Sequence, residues 1–204
     1  KAIRRQRQMC IRDRDSTVTF TDGKNVTHSI EYKSQIPLTP VLKAVWHTGM
    51  YVMAAWFLLT NLRFMLRLRR SRTPYPVEGC RYPVYLAEGL PSPCLFGLLH
   101  PAIYLTPAAA ESPETLRHVL AHETTHARHG DPLWSLLRCV CLAVYWFDPL
   151  VWVAAVVSRR DCELACDEGA LQRLGEAERI PYGQTLLRLI PVARRPESPM
   201  LSAT

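Results

Sequence analysis

The chain has 204 residues, 48% of them hydrophobic, and a formal net charge of +7. That length accommodates one core domain plus membrane helices, not a large multidomain assembly. Residues 1–14 hold six Lys/Arg and one Asp and so supply five of the seven net positive charges; the remainder is nearly balanced, which removes the electrostatic case for direct nucleic-acid binding.

Met9-Cys10-Ile11-Arg12-Asp13-Arg14 has the sequence encoded by a transposase mosaic-end sequencing adapter. Residues 1–14 are therefore set aside from fold reasoning, and the chain is expected to be truncated at both ends. Residues 15–38 are polar and β-prone, with Thr17-Val18-Thr19-Phe20 before a turn at Asp22-Gly23, which predicts a loop or hairpin. Asn25-Val26-Thr27 matches a glycosylation sequon and reads as chance. Residues 40–62 are apolar, and 23 helical residues cover about 34 Å, enough for a hydrocarbon core of about 30 Å. A transmembrane helix is expected over 39–66, an interfacial or buried helix being the alternative. Arg63, Arg67, Arg69, Arg70 and Arg72 follow at once. The positive-inside rule puts that end in the cytoplasm and 15–38 outside.

Pro74 to Pro107 is Pro-rich with short β-type runs at Tyr82–Leu86, Cys94–Gly97 and Ala102–Leu105, read as a small antiparallel sheet. Ser112-Pro113-Glu114 has the N-cap, N1 and first-turn residues of a helix start, and Gly130 supplies its end. Inside this helix lies His122-Glu123-Thr124-Thr125-His126. Spacing i, i+4 puts both imidazoles on one face, where they can share a metal ion, and Glu123 can serve as general base to a water at its open side. That pattern describes a zinc peptidase. His118 lies on the same face but eight residues from His126, about 12 Å along the axis, too far to share one ion with it. His118 and His129 are expected to be supporting or surface residues.

A catalytic zinc usually takes three protein ligands. In the helical segment Arg160–Glu168, Glu163 and Asp167 are again at i, i+4. This suits a ligand carboxylate followed by one that orients a His ring through its second nitrogen; the alternative is a solvated acidic face. Cys162 and Cys166 read as packing residues. The apolar stretch 133–157 cannot cross a bilayer once, because His126 and Glu163 would then sit about 30 Å apart. It is expected to fold back at Asp148-Pro149 into a helical hairpin, Leu133–Phe147 and Leu150–Leu174, which either dips into the membrane or packs in the core. A last helix is expected around Tyr182–Val192, with Tyr182 either packing or assisting an oxyanion. Apart from Cys10, the six cysteines do not read as a disulfide framework and fit a reducing cytoplasm.

Several motifs occur together and in order: Leu120-Ala121-His122-Glu123-Thr124-Thr125-His126-Ala127-Arg128-His129-Gly130-Asp131, then Trp146-Phe147-Asp148-Pro149, then Glu163-Leu164-Ala165-Cys166-Asp167. Phe96-Gly97-Leu98-Leu99-His100-Pro101 lies upstream and Tyr182-Gly183-Gln184-Thr185 downstream. Over about residues 36–200 the chain resembles the BlaR/MecR family of membrane metallopeptidases, regulatory sensor-transducers of the gluzincin type. Trp-Phe-Asp-Pro stands where the family usually has Trp-Phe-Asn-Pro, and no Ser-x-x-Lys of a penicillin-binding sensor is present. The resemblance implies zinc held by His122, His126 and Glu163, with Glu123 as base and Asp167 behind the ligands.

The expectation is an α+β membrane protein: a mostly helical, gluzincin-like zinc peptidase domain over 67–200, with one N-terminal transmembrane helix. It would sit in the bacterial cytoplasmic membrane with the active site facing the cytoplasm. Its partners would be the lipid bilayer and a protein substrate, itself or a cytosolic repressor; a homodimer is compatible. The rivals are a housekeeping membrane protease of the HtpX or CAAX-processing type and a non-catalytic metal-binding signalling scaffold.

Overall fold

The computed structural model describes residues 16–21, 27–32 and 38–189. The adapter-like peptide, the Asp22-Gly23 turn and the tail after Leu189 lie outside them. The chain forms two compact units, residues 1–48 and 49–204. In the first, β1 (Ser16–Thr21) and β2 (Thr27–Tyr32) pair antiparallel, from Ser16 opposite Tyr32 to Thr21 opposite Thr27. This is the hairpin that the alternating Thr/Val/Phe run favours.

Helix α1 (Leu38–Ser71) is longer than the expected span. Among the described residues it is the one helix long and apolar enough to cross a bilayer. Its second half explains the extra length. Phe64 and the buried Leu68 pack on the sheet with Ala87, Cys94, Ala102 and Tyr104, so the helix continues past Arg63 to join the domain below.

The sheet has the order β3 (Arg72–Pro74), β4 (Val84–Ala87), β6 (Ala102–Leu105), β5 (Cys94–Phe96). It is mixed, not purely antiparallel, because β4 and β6 run parallel, Val84 facing Ile103. The cause is composition. Ala-Ile-Tyr-Leu in β6 is buried at all four positions, and a strand apolar throughout belongs in the middle of a sheet. Strand β5 therefore passes over that slot, and β6 returns into it between β4 and β5.

Helix α2 (Pro113–His129) begins and ends where the sequence places it. The Ser112 side chain accepts a hydrogen bond from the Thr115 N–H, and Gly130 closes the helix at φ 72°. Val119 on its sheet side joins Val84, Leu95, Ile103 and Leu105 in the largest buried cluster. Helices α3 (Asp131–Val144) and α4 (Pro149–Leu174) form the expected hairpin, and the Asp148 carboxylate caps α4 by accepting from Leu150 N–H at 2.9 Å. A short 3-10 turn leads into α5 (Arg179–Leu189).

Gly130 tests this reading of the α2–α3 junction. A Cβ there would touch nothing within 4 Å, so Gly130→Ala would cost only the left-handed backbone, about 1–2 kcal/mol. The expected outcome is a melting temperature lower by roughly 2–8 °C, with Gly130→Asn falling between. An unchanged melting temperature for Gly130→Ala would remove the left-handed cap.

Candidate metal centre

Helix α2 supplies the centre. His118, His122 and His126 share one of its faces, and α4 crosses that face closely. A Cβ at Gly169 would lie 2.8 Å from Thr125 Cγ2, so only glycine allows this approach. Arg173, one turn on, donates to Thr124 Oγ1 at 2.7 Å and to Ala121 O at 3.3 Å. The crossing brings Glu163 to the histidines.

Three of the sequence-selected groups converge. The Nε2 atoms of His122 and His126 are 3.0 Å apart, and Glu163 Oε2 is 3.7 Å from each. Zinc–ligand bonds of about 2.0–2.1 Å at tetrahedral angles place ligand atoms about 3.3 Å apart. The triangle has that size. Glu163 Oε1 and Glu123 Oε2 are buried and lack a hydrogen-bond partner, although a buried carboxylate oxygen is costly unless something positive or a donor meets it. The residues therefore fit a divalent cation.

The far nitrogens are held by carboxylates. Buried His126 donates from Nδ1 to Asp131 Oδ2 at 2.6 Å. Cys166 Sγ donates to the same oxygen at 3.1 Å. The His122 Nδ1 lies 3.1 Å from Asp167 Oδ1 and 2.8 Å from the Tyr182 hydroxyl, which itself donates to Asp167 Oδ1 at 2.8 Å. With Nδ1 of both rings facing an acceptor, the Nε2 lone pairs are the ones directed at the centre. Burial opposes charge on His122, but the Asp167 and Glu163 carboxylates outweigh it and push its pKa up to about 10. Burial also works against the charged forms of Asp167 and Asp131. Their hydrogen bonds, from His122 and Tyr182 to the one and from His126 and Cys166 to the other, nevertheless lower both. Burial pushes the Cys166 thiol up, which keeps it a donor.

Glu123 is 2% exposed. Its carboxylate accepts the backbone N–H of Leu95 in edge strand β5. Leu95 pairs with Ile103, whose own N–H turns the other way to Pro83 O at 2.9 Å; the Leu95 backbone thus faces out of the sheet, toward α2. Burial raises the Glu123 pKa, with His126 and His122 pulling it down. Burial thus holds the Glu123 carboxyl above the usual carboxylate range, beside the triangle.

His118 is fully buried and outside the triangle. Its Nδ1 is 2.9 Å from Thr185 Oγ1 and its Nε2 3.2 Å from Glu178 Oε2, and it meets the Tyr182 ring edge-on. Successive turns of α2 are thus tied to α5, His118 through Thr185 and His122 through Tyr182. Glu114, His118 and Glu178 group closely enough to hold an ion, but Arg117 already pairs with Glu178 at 3.3 Å. His129 Nδ1 lies 3.6 Å from Cys166 Sγ. Sequence reasoning missed Asp131 and Cys166 and left Tyr182 open. The available signal for Asp131 was its place directly after Gly130, where a left-handed turn swings the chain back onto the helix it has just left.

The sequence matches the family described as BlaR1 peptidase M56 over residues 4–203; the chain belongs to this family. It is 28% identical over 185 residues to "Regulatory protein BlaR1" of Bacillus licheniformis, covering 83% of this chain and 31% of that protein. It is 27% identical over 104 residues to "Methicillin resistance mecR1 protein" of Staphylococcus aureus, covering 50% of this chain and 18% of that protein. The chain thus spans less than a third of the length of either relative.

The tie between α2 and α5 has a measurable consequence. Thr185→Val leaves the buried His118 Nδ1 without its partner, a loss of about 1–3 kcal/mol. Amide hydrogen exchange in Arg179–Leu189 should speed up while exchange in α3 stays unchanged. Equal protection of α5 in wild type and variant would show that the bond does not hold the helix.

Proposed function

We propose that this M56 peptidase is a membrane-bound, zinc-dependent endopeptidase of the sensor-transducer type, which cuts itself or a cytosolic transcriptional repressor in response to an external cue such as cell-wall or antibiotic stress. The observation that carries the chemistry is the triangle of His122 Nε2, His126 Nε2 and Glu163 Oε2 with the unpartnered oxygen of Glu123 beside it. Zinc held by those three residues would supply Lewis acidity to the scissile carbonyl and to the attacking water. Glu123 takes the proton of that water on Oε2 and returns it to the leaving amine. Leu95 N–H holds the carboxylate in place through the exchange. Asp131 and the Asp167–Tyr182 pair hold the two imidazoles in the one tautomer that serves the centre. The outward edge of β5 offers backbone groups to an extended substrate.

The signalling part rests on layout and kinship. Helix α1 supplies an apolar segment of spanning length with arginines at the end that leads into the peptidase domain, which supports a cytoplasmic site. Two relatives carry regulatory or resistance names.

Two outcomes follow. Purified protein should hold about one zinc per chain. His122→Ala, His126→Ala or Glu163→Ala should lower that content, and Asp131→Ala should weaken zinc affinity about 10–100-fold. Glu123→Gln should keep the metal and lose proteolysis. Full proteolysis by Glu123→Gln would end this mechanism. For the substrate, the complete gene is expressed with its neighbouring repressor gene and both products are followed by immunoblot. The repressor should disappear under cell-wall stress and survive in Glu123→Gln. Stress-independent loss of many unrelated membrane proteins would favour a housekeeping protease instead.

A further inference from the structure

We propose that the α3–α4 hairpin is a re-entrant membrane element, entering and leaving the bilayer on the side that carries the metal centre. The proposal rests on the reading of α1 as a bilayer span. The hairpin lies along the apolar part of that helix, not beneath its arginines. Met53 and Phe57 of α1 pack with Cys139, Leu142, Ala143, Val151 and Ala155. At the hairpin tip Trp146 covers Gly49 so closely that a Cβ there would lie 2.2 Å from the indole. Along α1, Gly49 stands 14 residues before Arg63, about 21 Å at 1.5 Å per residue. Where α1 is in hydrocarbon, the tip is too.

The outer side of the hairpin has the matching chemistry. Leu137, Val140, Leu150, Val153, Val156 and Val157 are each 49–74% exposed, a surface far larger and more continuous than isolated apolar side chains. From Pro132 to Ser158 the charged residues are Arg138 and Asp148. Arg138 turns inward, donating to Ser135 Oγ at 2.7 Å and Ser158 Oγ at 3.3 Å. Asp148 is spent on capping α4. Tyr145 and Trp152 flank it, and Trp152 donates its indole N–H to Trp146 O at 3.0 Å, so that its polar atom is satisfied at the tip. Arg159 and Arg160 begin the charged part of α4 about 15 Å from Pro149. The apolar band of the hairpin thus continues that of α1 at Val52, Trp56 and Leu58, and both bands end in arginine at the same pole, suited to phospholipid headgroups. A phospholipid bilayer covers both bands at once, with headgroups at their shared arginine end.

The test is site-specific photocrosslinking in native membranes of the complete protein, with benzoylphenylalanine replacing one residue at a time and phospholipid adducts read by mass spectrometry. Adducts are expected at Leu58 on α1 and at Val140, Val153 and Val157 on the hairpin, and none at Leu187 on α5, which is 71% exposed. Three separate hairpin positions guard against one misfolded variant. Adducts at Leu58 with none at the hairpin positions would overturn the proposal while sparing the span, as would hairpin crosslinks to a second copy or another protein. Absence of adducts at Leu58 as well would remove the span and the hairpin proposal with it.

Discussion

Two imidazole nitrogens held 3.0 Å apart, with the carboxylates of Glu123, Glu163, Asp131 and Asp167 around them, set the electrostatic condition that the rest of the fold has to meet. Two lone pairs at that separation repel one another unless a proton or a cation lies between them, and four carboxylates in a partly buried volume exceed what two histidines can neutralise. A cation at the triangle resolves both problems. The Glu163 and Asp167 carboxylates, 3.7 and 3.1 Å from the nitrogens of His122, mark the place where positive charge is wanted. The arrangement is tolerable because each carboxylate has its own donor or opening: Asp131 has His126 and Cys166, Asp167 has His122 and Tyr182, Glu123 has Leu95, and Glu163 faces the triangle.

Backbone devices deliver those groups. Gly130 takes the left-handed turn that ends α2 and starts α3 with Asp131, five residues after the histidine it orients. Gly169 lets α4 settle on Thr125, and Arg173 fastens the contact to the backbone of α2. Helix α5 completes the set through Thr185 and Tyr182. These contacts connect distant parts of the sequence to successive turns of one 17-residue helix, so the positions of the two imidazoles are determined by packing on three sides.

How much of this could be read from residues alone follows from the range of each interaction. The caps of α2, the His pair and the break at Pro149 are local, fixed within one or two turns, and the sequence displays them. The partnership of Glu163 with the histidines is long-range, and it was legible through the upstream His pair and the family resemblance that the ordered motifs carry; the fourth-residue carboxylate pair alone also fits a solvated helix face, and the hairpin was deduced from the partnership. The partners of Nδ1 were only half visible. Asp167 belongs to that pattern; Asp131 depends on the direction in which one turn leaves a helix, and Tyr182 on where α5 docks. The parallel pairing of β4 with β6 was missed for a similar reason. Three short strands separated by Pro and Gly suggest a meander, and only the burial of β6 on all sides reveals that it takes the central place.

The coupling of the base to the sheet edge carries one more consequence. Leu95 gives its N–H to Glu123, so the outward donor of the strand's central residue is already engaged. At Leu95 the outer edge of β5 therefore offers its carbonyl and not its N–H. An extended peptide laid along it would be met first through its own N–H donors, and its carbonyl groups would be left free to turn toward the triangle. An edge that could also donate would compete for the carbonyl that has to be polarised. Under the proposed peptidase mechanism, engaging the Leu95 N–H with Glu123 leaves the carbonyl of a substrate laid along this edge free for the centre.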